Sequence, residues 1–296
     1  MVPLIDIFCL IDDFCKQFEV NIKQKSLPNP NRKRQRSCSL SLSEIMTIIV
    51  LFQLSHYRTM KDFYLNYVHV YLKREFPQLV SYNRFIELIP YALTPLLVLL
   101  YRCHGKETGQ YYIDSTKLPV CHNLRISRHR VFKGLAQRGK TSTGWFFGFK
   151  LHLIFNDQGE LMRFKLTAGN ISDNKVVTSL TKNLKGWLFG DKGYIDKKLE
   201  TSLLEKGLEL FTRVRKNMKQ KVLSTAQKAY LNKRGIIETI IDQLKSICQV
   251  QHTRHRSPIN FLVNILSALF AYVLKPQKVS VKFRQLNNLQ HNLMSN

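Results

Sequence analysis

Three carboxylates are the residues in this sequence best suited to chemistry. Trp187-Leu188-Phe189-Gly190-Asp191-Lys192-Gly193-Tyr194 reads as a short buried strand that ends on glycines and presents Asp191. Gln110-Tyr111-Tyr112-Ile113-Asp114-Ser115-Thr116 ends in the same way on Asp114. Acids at strand ends open onto the crevice where α/β sheets place their ligands, although either one alone is equally an Asp in a polar turn. The third, Glu238, lies on a helix expected from Lys233 to Gln249. There Ile236, Ile237, Ile240, Ile241, Leu244 and Ile247 form an apolar face, and Arg234, Glu238, Asp242 and Lys245 a polar one. That polar face is either a solvated surface laced with ion pairs or one that turns Glu238 toward the acidic strand ends, with Arg234 and Lys245 flanking it to act on substrate phosphates as well as on the carboxylate.

Carboxylates from separate elements suit Mg²⁺, which takes oxygen ligands and leaves positions for water and phosphate oxygens. Two such ions, about 3.5–4 Å apart, serve phosphoryl transfer by activating the attacking oxygen and stabilising the leaving one. Gly190 and Gly193 would give DNA and metal room beside Asp191.

The elements that must position these acids change character along the chain. Residues 1–105 read as helical. Leu4, Ile7, Phe8, Ile11, Phe14 and Phe18 recur at helical spacing, Ser41 with Glu44 forms a capping box, Thr59 with Asp62 repeats it, and Pro90 and Pro95 disturb a stretch from Asn83 to Cys103. Short helices with tight turns suit a helix-turn-helix type of DNA-binding module, with a plain helical bundle as the alternative. From Gln110 the period shortens. A strand at Tyr111–Ile113 is followed by a polar segment, a long strand Trp145–Phe155, the turn Asn156-Asp157-Gln158-Gly159 and a return strand Leu161–Thr167. A helix from Lys175 to Leu184, capped by Ser172 or Asp173, then precedes the strand ending at Asp191. A helix from Lys197 stopped at Gly207, a strand Leu208–Val214 and the Glu238 helix complete the order. The expected fold class is α/β: a ribonuclease-H-like mixed sheet with flanking helices, preceded by an all-helical region. The expected division is 1–105 for DNA binding, 106–275 for catalysis and 276–296 as a polar tail.

Charge points to the partner. Lys and Arg number 46 against 20 Asp and Glu, a formal net charge of +26, and 44% of residues are hydrophobic. That is a folded, strongly basic chain, so a polyanion is the expected partner. Two acid-free basic runs flank the acid-bearing strands. Arg125, Arg128, Arg130, Lys133, Arg138 and Lys140 lie in the first, His122 to Lys140, and Arg213, Arg215, Lys216, Lys219, Lys221, Lys228, Lys233 and Arg234 in the second, Phe211 to Arg234. They suit contacts to a phosphate backbone, which position DNA without reading bases. Other chemistries are poorly supplied. No Gly-rich phosphate loop is present, and Cys121, His122, Cys248, His252 and His255 lack zinc-site spacing. His152 suits a core-edge histidine. Scattered cysteines, Asp6, Asp12 and Asp13 near the start, and an apolar run (Phe261–Leu274) too short for a bilayer suggest a soluble cytoplasmic protein.

The acid motifs resemble those of bacterial insertion-sequence transposases of the DDE type. Ile113-Asp114-Ser115-Thr116 resembles their first-acid strand and Gly190-Asp191-Lys192-Gly193-Tyr194 their second-acid motif. Arg234, Glu238 and Lys245 reproduce the spacing of their Tyr-Arg-Glu-Lys signature, with Leu231 where the tyrosine belongs and Tyr230 one place earlier. Residues 1 to about 275 are most similar to the insertion sequence 982 group. The resemblance implies Asp114, Asp191 and Glu238 as catalytic metal ligands and Mg²⁺ or Mn²⁺ as cofactor, in two ions. It also implies terminal inverted repeats and target DNA as substrates, a homodimer on DNA, and a place at the bacterial nucleoid. The alternatives are a non-catalytic DNA-binding protein, such as a decayed copy acting as a repressor, and a ribonuclease-H-like nuclease without strand transfer.

Overall fold

In the computed structural model, which describes residues 2–25, 38–142, 144–213, 222–251 and 255–281, helices give way to a sheet at Gln110. The helical part comprises α1 (Leu4–Lys25), α2 (Leu42–Leu54), α3 (Met60–Asp62), a π-turn at Phe63–Val68, α4 (His69–Tyr71), α5 (Tyr82–Leu88) and α6 (Leu93–Arg102). The expected capping box opens α2: Ser41 Oγ accepts from Glu44 N–H, and the Glu44 carboxylate accepts from Ser41 N–H. Thr59 supplies only the first half of such a box, accepting from Asp62 N–H. Pro90 falls in a 3₁₀ turn, Ile89–Ala92, between α5 and α6, where its missing N–H and fixed φ cost least. Tyr82–Arg102 is long and apolar enough, by length and composition, to cross a membrane, which a reading confined to Phe261–Leu274 overlooked. Here Leu96, Leu99 and Leu100 are buried in the core.

The sheet is built from β1 (Gln110–Cys121), β2 (Gln137–Thr141), β3 (Gly144–Asn156), β4 (Leu161–Ala168), β5 (Gly186–Gly190) and β6 (Leu208–Thr212). Its order is β2-β3-β1-β5-β6, with β4 also paired to β3. The β1–β3, β2–β3 and β3–β4 pairs are antiparallel, and β1–β5 and β5–β6 are parallel. It is flanked by α7 (Asn174–Leu180), α8 (Lys197–Leu204), α9 (Thr225–Asn232), α10 (Gly235–Ser246) and α11 (Pro258–Val273).

Two differences from the sequence reading have simple causes. β1 runs eight residues past Ile113 because Thr116, Leu118 and Val120 keep alternating into the core, with a bulge where Pro119 interrupts the pairing. β2 carries no apolar residue (Gln-Arg-Gly-Lys-Thr), so periodicity could not reveal it. It is an edge strand whose register on β3 is set by the neighbouring hairpin.

The pleat divides the core in two. Tyr112, Leu118, Leu151, Leu153, Phe155 and Phe189 face one way and pack with α10, α11 and the N-terminal helices. Tyr111, Ile113, Ile154 and Leu188 face the other and pack with α7 and α8. Gln53 on α2 donates from Nε2 to Asn264 Oδ1 and Ser267 Oγ on α11, tying the helices together through buried polar groups. The start of β5 is equally constrained. Gly186 has φ +113°, and a Cβ there would lie 2.2 Å from Gly109 O. Gly186→Ala is therefore expected to cost about 2–3 kcal/mol in denaturant unfolding, from backbone strain plus overpacking; a loss below about 0.5 kcal/mol would contradict this placement.

Candidate active site

β1 and β5 pair in parallel at Gln110–Trp187, Tyr111–Leu188 and Tyr112–Phe189, and there the pairing stops. Asp114 and Asp191 each lie two residues beyond the last pair. They share the side-chain parity of Tyr112 and Phe189, which puts both on the face covered by α10. Parallel strands separating at their carboxyl ends open the kind of crevice in which such sheets bind ligands.

α10 is held against this face by Ile236, Ile237, Ile240, Ile241 and Leu244, all buried. Glu238 is on its solvent-facing side, and Arg234, at the helix N-cap, reaches all three acids. Arg234 Nη2 donates to Glu238 Oε1 at 2.6 Å and stands 3.7 Å from Asp191 Oδ1. Its Nη1 lies 3.9 Å from Asp114 Oδ2. One guanidinium, with only 12% of its side chain exposed, thus sits among carboxylates from a strand, a strand end and a helix. Its buried Nη1 has no hydrogen-bond partner. The sequence reading had Arg234 act on the substrate as well as on the carboxylate; the structure shows its contacts with the carboxylates.

Asp114 is the least exposed of the three acids, its side chain 23% exposed. Its Oδ1 accepts from Ser115 N–H at 2.8 Å. Burial pushes its pKa up to about 6; the Ser115 N–H and Arg234 pull it down, and Asp191 and Glu238 push it up again. Lys245, half-buried on α10, has its pKa lowered by burial and by Lys117, while Asp242 and Asp114 hold it up. A lysine there suits an anion that approaches Asp114.

The remaining sequence candidates fall into three groups. Arg125 and Arg128 project from a 3₁₀ turn, Asn123–Arg128, and with Arg130, Lys133, Arg138 and Lys140 they are exposed. This basic segment is anchored by buried Phe132, whose ring meets Phe149 and Phe261 at 5.6 and 5.1 Å between centroids. Arg213 is exposed at the end of β6. Arg215, Lys216, Lys219 and Lys221 lie outside the described residues. Tyr230 does not point at the acids: its ring stacks on Phe189 at 5.8 Å, and Leu231 is buried. At Gly190 a Cβ would come within 3.1 Å of the Tyr194 ring and 3.2 Å of Ile113; at Gly193 the space is open.

Sequence reasoning set Asp173 aside as a helix cap. Asp173 does sit at the N-cap of α7, but its carboxylate makes no cap hydrogen bond. It bonds Lys150 and Ser115 instead. The signal was available in β3, where Lys150 and His152 are polar residues two apart in an otherwise apolar strand. His152 is buried and neutral, its pKa pushed down to about 4 by burial against the opposing pull of Asp173.

Among the described residues no three His, Cys, Asp or Glu side chains stand close enough, as placed, to hold a metal ion. The cation at the centre of the three acids is Arg234. The donor set still fits a hard divalent ion: it is all carboxylate oxygen, from three acids that meet on one guanidinium.

No curated protein matches this chain. Among solved structures it is similar to a chain of the cryo-EM structure of piggyBac transposase synaptic complex with hairpin DNA, at 14% identity and a TM-score of 0.48, covering 100% of this chain and 85% of that one. A family model described as Transposase DDE domain matches residues 104–258, just over half of the chain and the part that contains Asp114, Asp191, Arg234 and Glu238. The chain belongs to the Transposase DDE domain family.

Proposed function

We propose that this protein is a DNA transposase of the insertion sequence 982 type. Its ribonuclease-H-like sheet cuts DNA at an element's ends and joins those ends to a target. The observation that carries the reading is the convergence of Asp114, Asp191 and Glu238, from three separate elements, on one guanidinium. The strand order supports the fold: leaving out β2, it runs β4-β3-β1-β5-β6, three antiparallel strands followed by two parallel ones. Asp114, Asp191 and Glu238 would hold a pair of divalent ions, Mg²⁺ or Mn²⁺, which when bound would supply charge stabilisation at the phosphate and lower the pKa of an attacking water.

The chain's own groups do the rest. Arg234 and Lys245 lie on the acid face and neutralise the phosphate that enters it. Water attacks the phosphodiester at the element end, breaks the P–O3′ bond and leaves a 3′-hydroxyl. That hydroxyl attacks a target phosphodiester, forms the new P–O bond and releases the target's own 3′-hydroxyl. The exposed arginines and lysines of 125–140, together with the basic run 211–234, hold the DNA backbone, while the N-terminal helices read the inverted repeats. Two copies act together, one per element end, at the nucleoid of a bacterial cytoplasm.

The test is a plasmid carrying the DNA that flanks this reading frame, incubated with the protein and Mg²⁺. Nicks with 3′-hydroxyls at inverted repeats, followed by joined products, are expected; intact plasmid overturns the reading. The basic surface makes its own prediction. Replacing Arg125, Arg128 and Lys133 together by Gln should reduce the slope of log Kobs against log salt by about 2–3, at roughly 0.9 per phosphate contact. An unchanged slope would make that surface a merely solvated face.

A further inference from the structure

On the face of the sheet opposite the acids, a second polar group is built into β1 and β3. Ser115 is paired with His152, and Lys117 with Lys150, so Ser115, Lys150 and His152 share that face. Lys150 is 9% exposed and His152 1%. An ammonium so placed needs a partner, because the cost of burying it alone is prohibitive. Lys150 Nζ donates to Asp173 Oδ1 and to Ile171 O, both at 3.1 Å. The same Asp173 oxygen accepts from Ser115 Oγ at 3.1 Å. Neutral His152 bonds Thr167 through Nε2 at 2.9 Å and adds no charge.

This group connects to the acid site through the backbone of one residue. Ser115 Oγ reaches across to Asp173, and Ser115 N–H holds Asp114 Oδ1 at 2.8 Å, leaving Oδ2 on the side of Arg234. The connection matters because β1 has lost its β5 partner by this point, the last paired residue being Tyr112. On that edge no ladder fixes the peptide between Asp114 and Ser115. The Asp173–Ser115 hydrogen bond supplies what the ladder does not.

We propose that Asp173, anchored by Lys150, is a positioning residue for the acid site: through the Ser115 hydroxyl it fixes the N–H that orients Asp114. The inference rests on the proposed reading of Asp114 as a metal-holding acid. Residues that orient a ligating carboxylate typically govern about 10–100-fold in metal affinity or activity.

The informative variant is Ser115→Ala, because it leaves the Lys150–Asp173 pair intact and keeps the fold. Asp173→Asn, Ser115→Thr and the Ser115→Ala/Asp173→Asn double variant complete the set. Two quantities are read on each: the single-turnover cleavage rate at saturating DNA, and the affinity for Mn²⁺ alone by calorimetric titration. Ser115→Ala is expected to lower both about 10–100-fold with DNA affinity unchanged, and Ser115→Thr, which restores the hydroxyl, to recover them. The double variant is expected to be no worse than its worse parent, since both changes cut the same link. Wild-type rate and Mn²⁺ affinity in Ser115→Ala, or losses that multiply in the double variant, would overturn the positioning role while leaving the transposase reading standing. A wild-type protein that neither cuts DNA nor binds Mn²⁺ would instead remove that reading.

Discussion

Asp191→Ala is expected to abolish metal-dependent DNA cleavage, by at least about a thousandfold, with DNA affinity changed less than about twofold. The size follows from what a metal-held phosphate gains: several kcal/mol of transition-state stabilisation, at about 1.4 kcal/mol per factor of ten. Asp191 is the cleanest of the three acids to remove, because its side chain is 54% exposed and contributes nothing to the core. Its ion pair with Arg234, at 3.7 Å, is a loose one. Such pairs contribute about 0–1 kcal/mol, so a thousandfold loss of cutting with a nearly unchanged melting curve would separate chemistry from folding. Glu238→Ala should behave in the same way, its side chain being 60% exposed. Asp114→Ala should also abolish cleavage. Wild-type-like cutting by any of the three contradicts its assignment.

The second large effect is a pH dependence with an unusual sign. Burial raises the Asp114 pKa from its ordinary 3.8 to about 6. The folded protein therefore binds this proton more tightly than the unfolded chain does. The stability contributed by protonated Asp114 is complete below about pH 4 and is lost as the pH rises to about 6. At about 1.4 kcal/mol per unit this amounts to roughly 3 kcal/mol at most. Asp114→Asn is neutral at every pH, so without metal it should be more stable than wild type at pH 7, and the advantage should vanish below pH 4. Thermal unfolding of both proteins from pH 4 to 8 measures the difference. Divalent ions should reverse the ranking, since they require the carboxylate. The apparent affinity of wild type for Mn²⁺ should fall about tenfold per pH unit below pH 6. An Asp114→Asn protein no more stable than wild type at pH 7 would show that Arg234 already neutralises the site in full.

Much of the arrangement was legible in the chain. Asp114 and Asp191 stood out because each follows an apolar triplet, and a strand that is buried on both faces must read that way. Glu238 stood out because Arg234 lies one helical turn before it. The sequence could show the one-turn spacing of Arg234 and Glu238 but not that this turn aims the guanidinium inward, to Asp114 and Asp191 as well. The Tyr-Arg-Glu-Lys spacing drew attention to Tyr230, yet its ring belongs to the aromatic stack beneath β5. Asp173 looked like a cap because it precedes a helix, and only the sheet register brings Ser115 and Lys150 to it. β2 escaped because an edge strand need not be apolar. The placements of Arg234, Tyr230 and Asp173 depend on long-range contacts, which local spacing does not encode.

In the proposed reading Asp191 holds a divalent ion for DNA cleavage. Asp191→Cys tests it most directly, because a thiolate is a poor ligand for Mg²⁺ and a better one for the softer Mn²⁺. Single-turnover cleavage of end DNA should be lost in Mg²⁺ and restored, at least in part, in Mn²⁺, while wild type cuts in both. Wild-type-like cutting by Asp191→Cys in Mg²⁺, or an equal loss in both ions, would contradict the account.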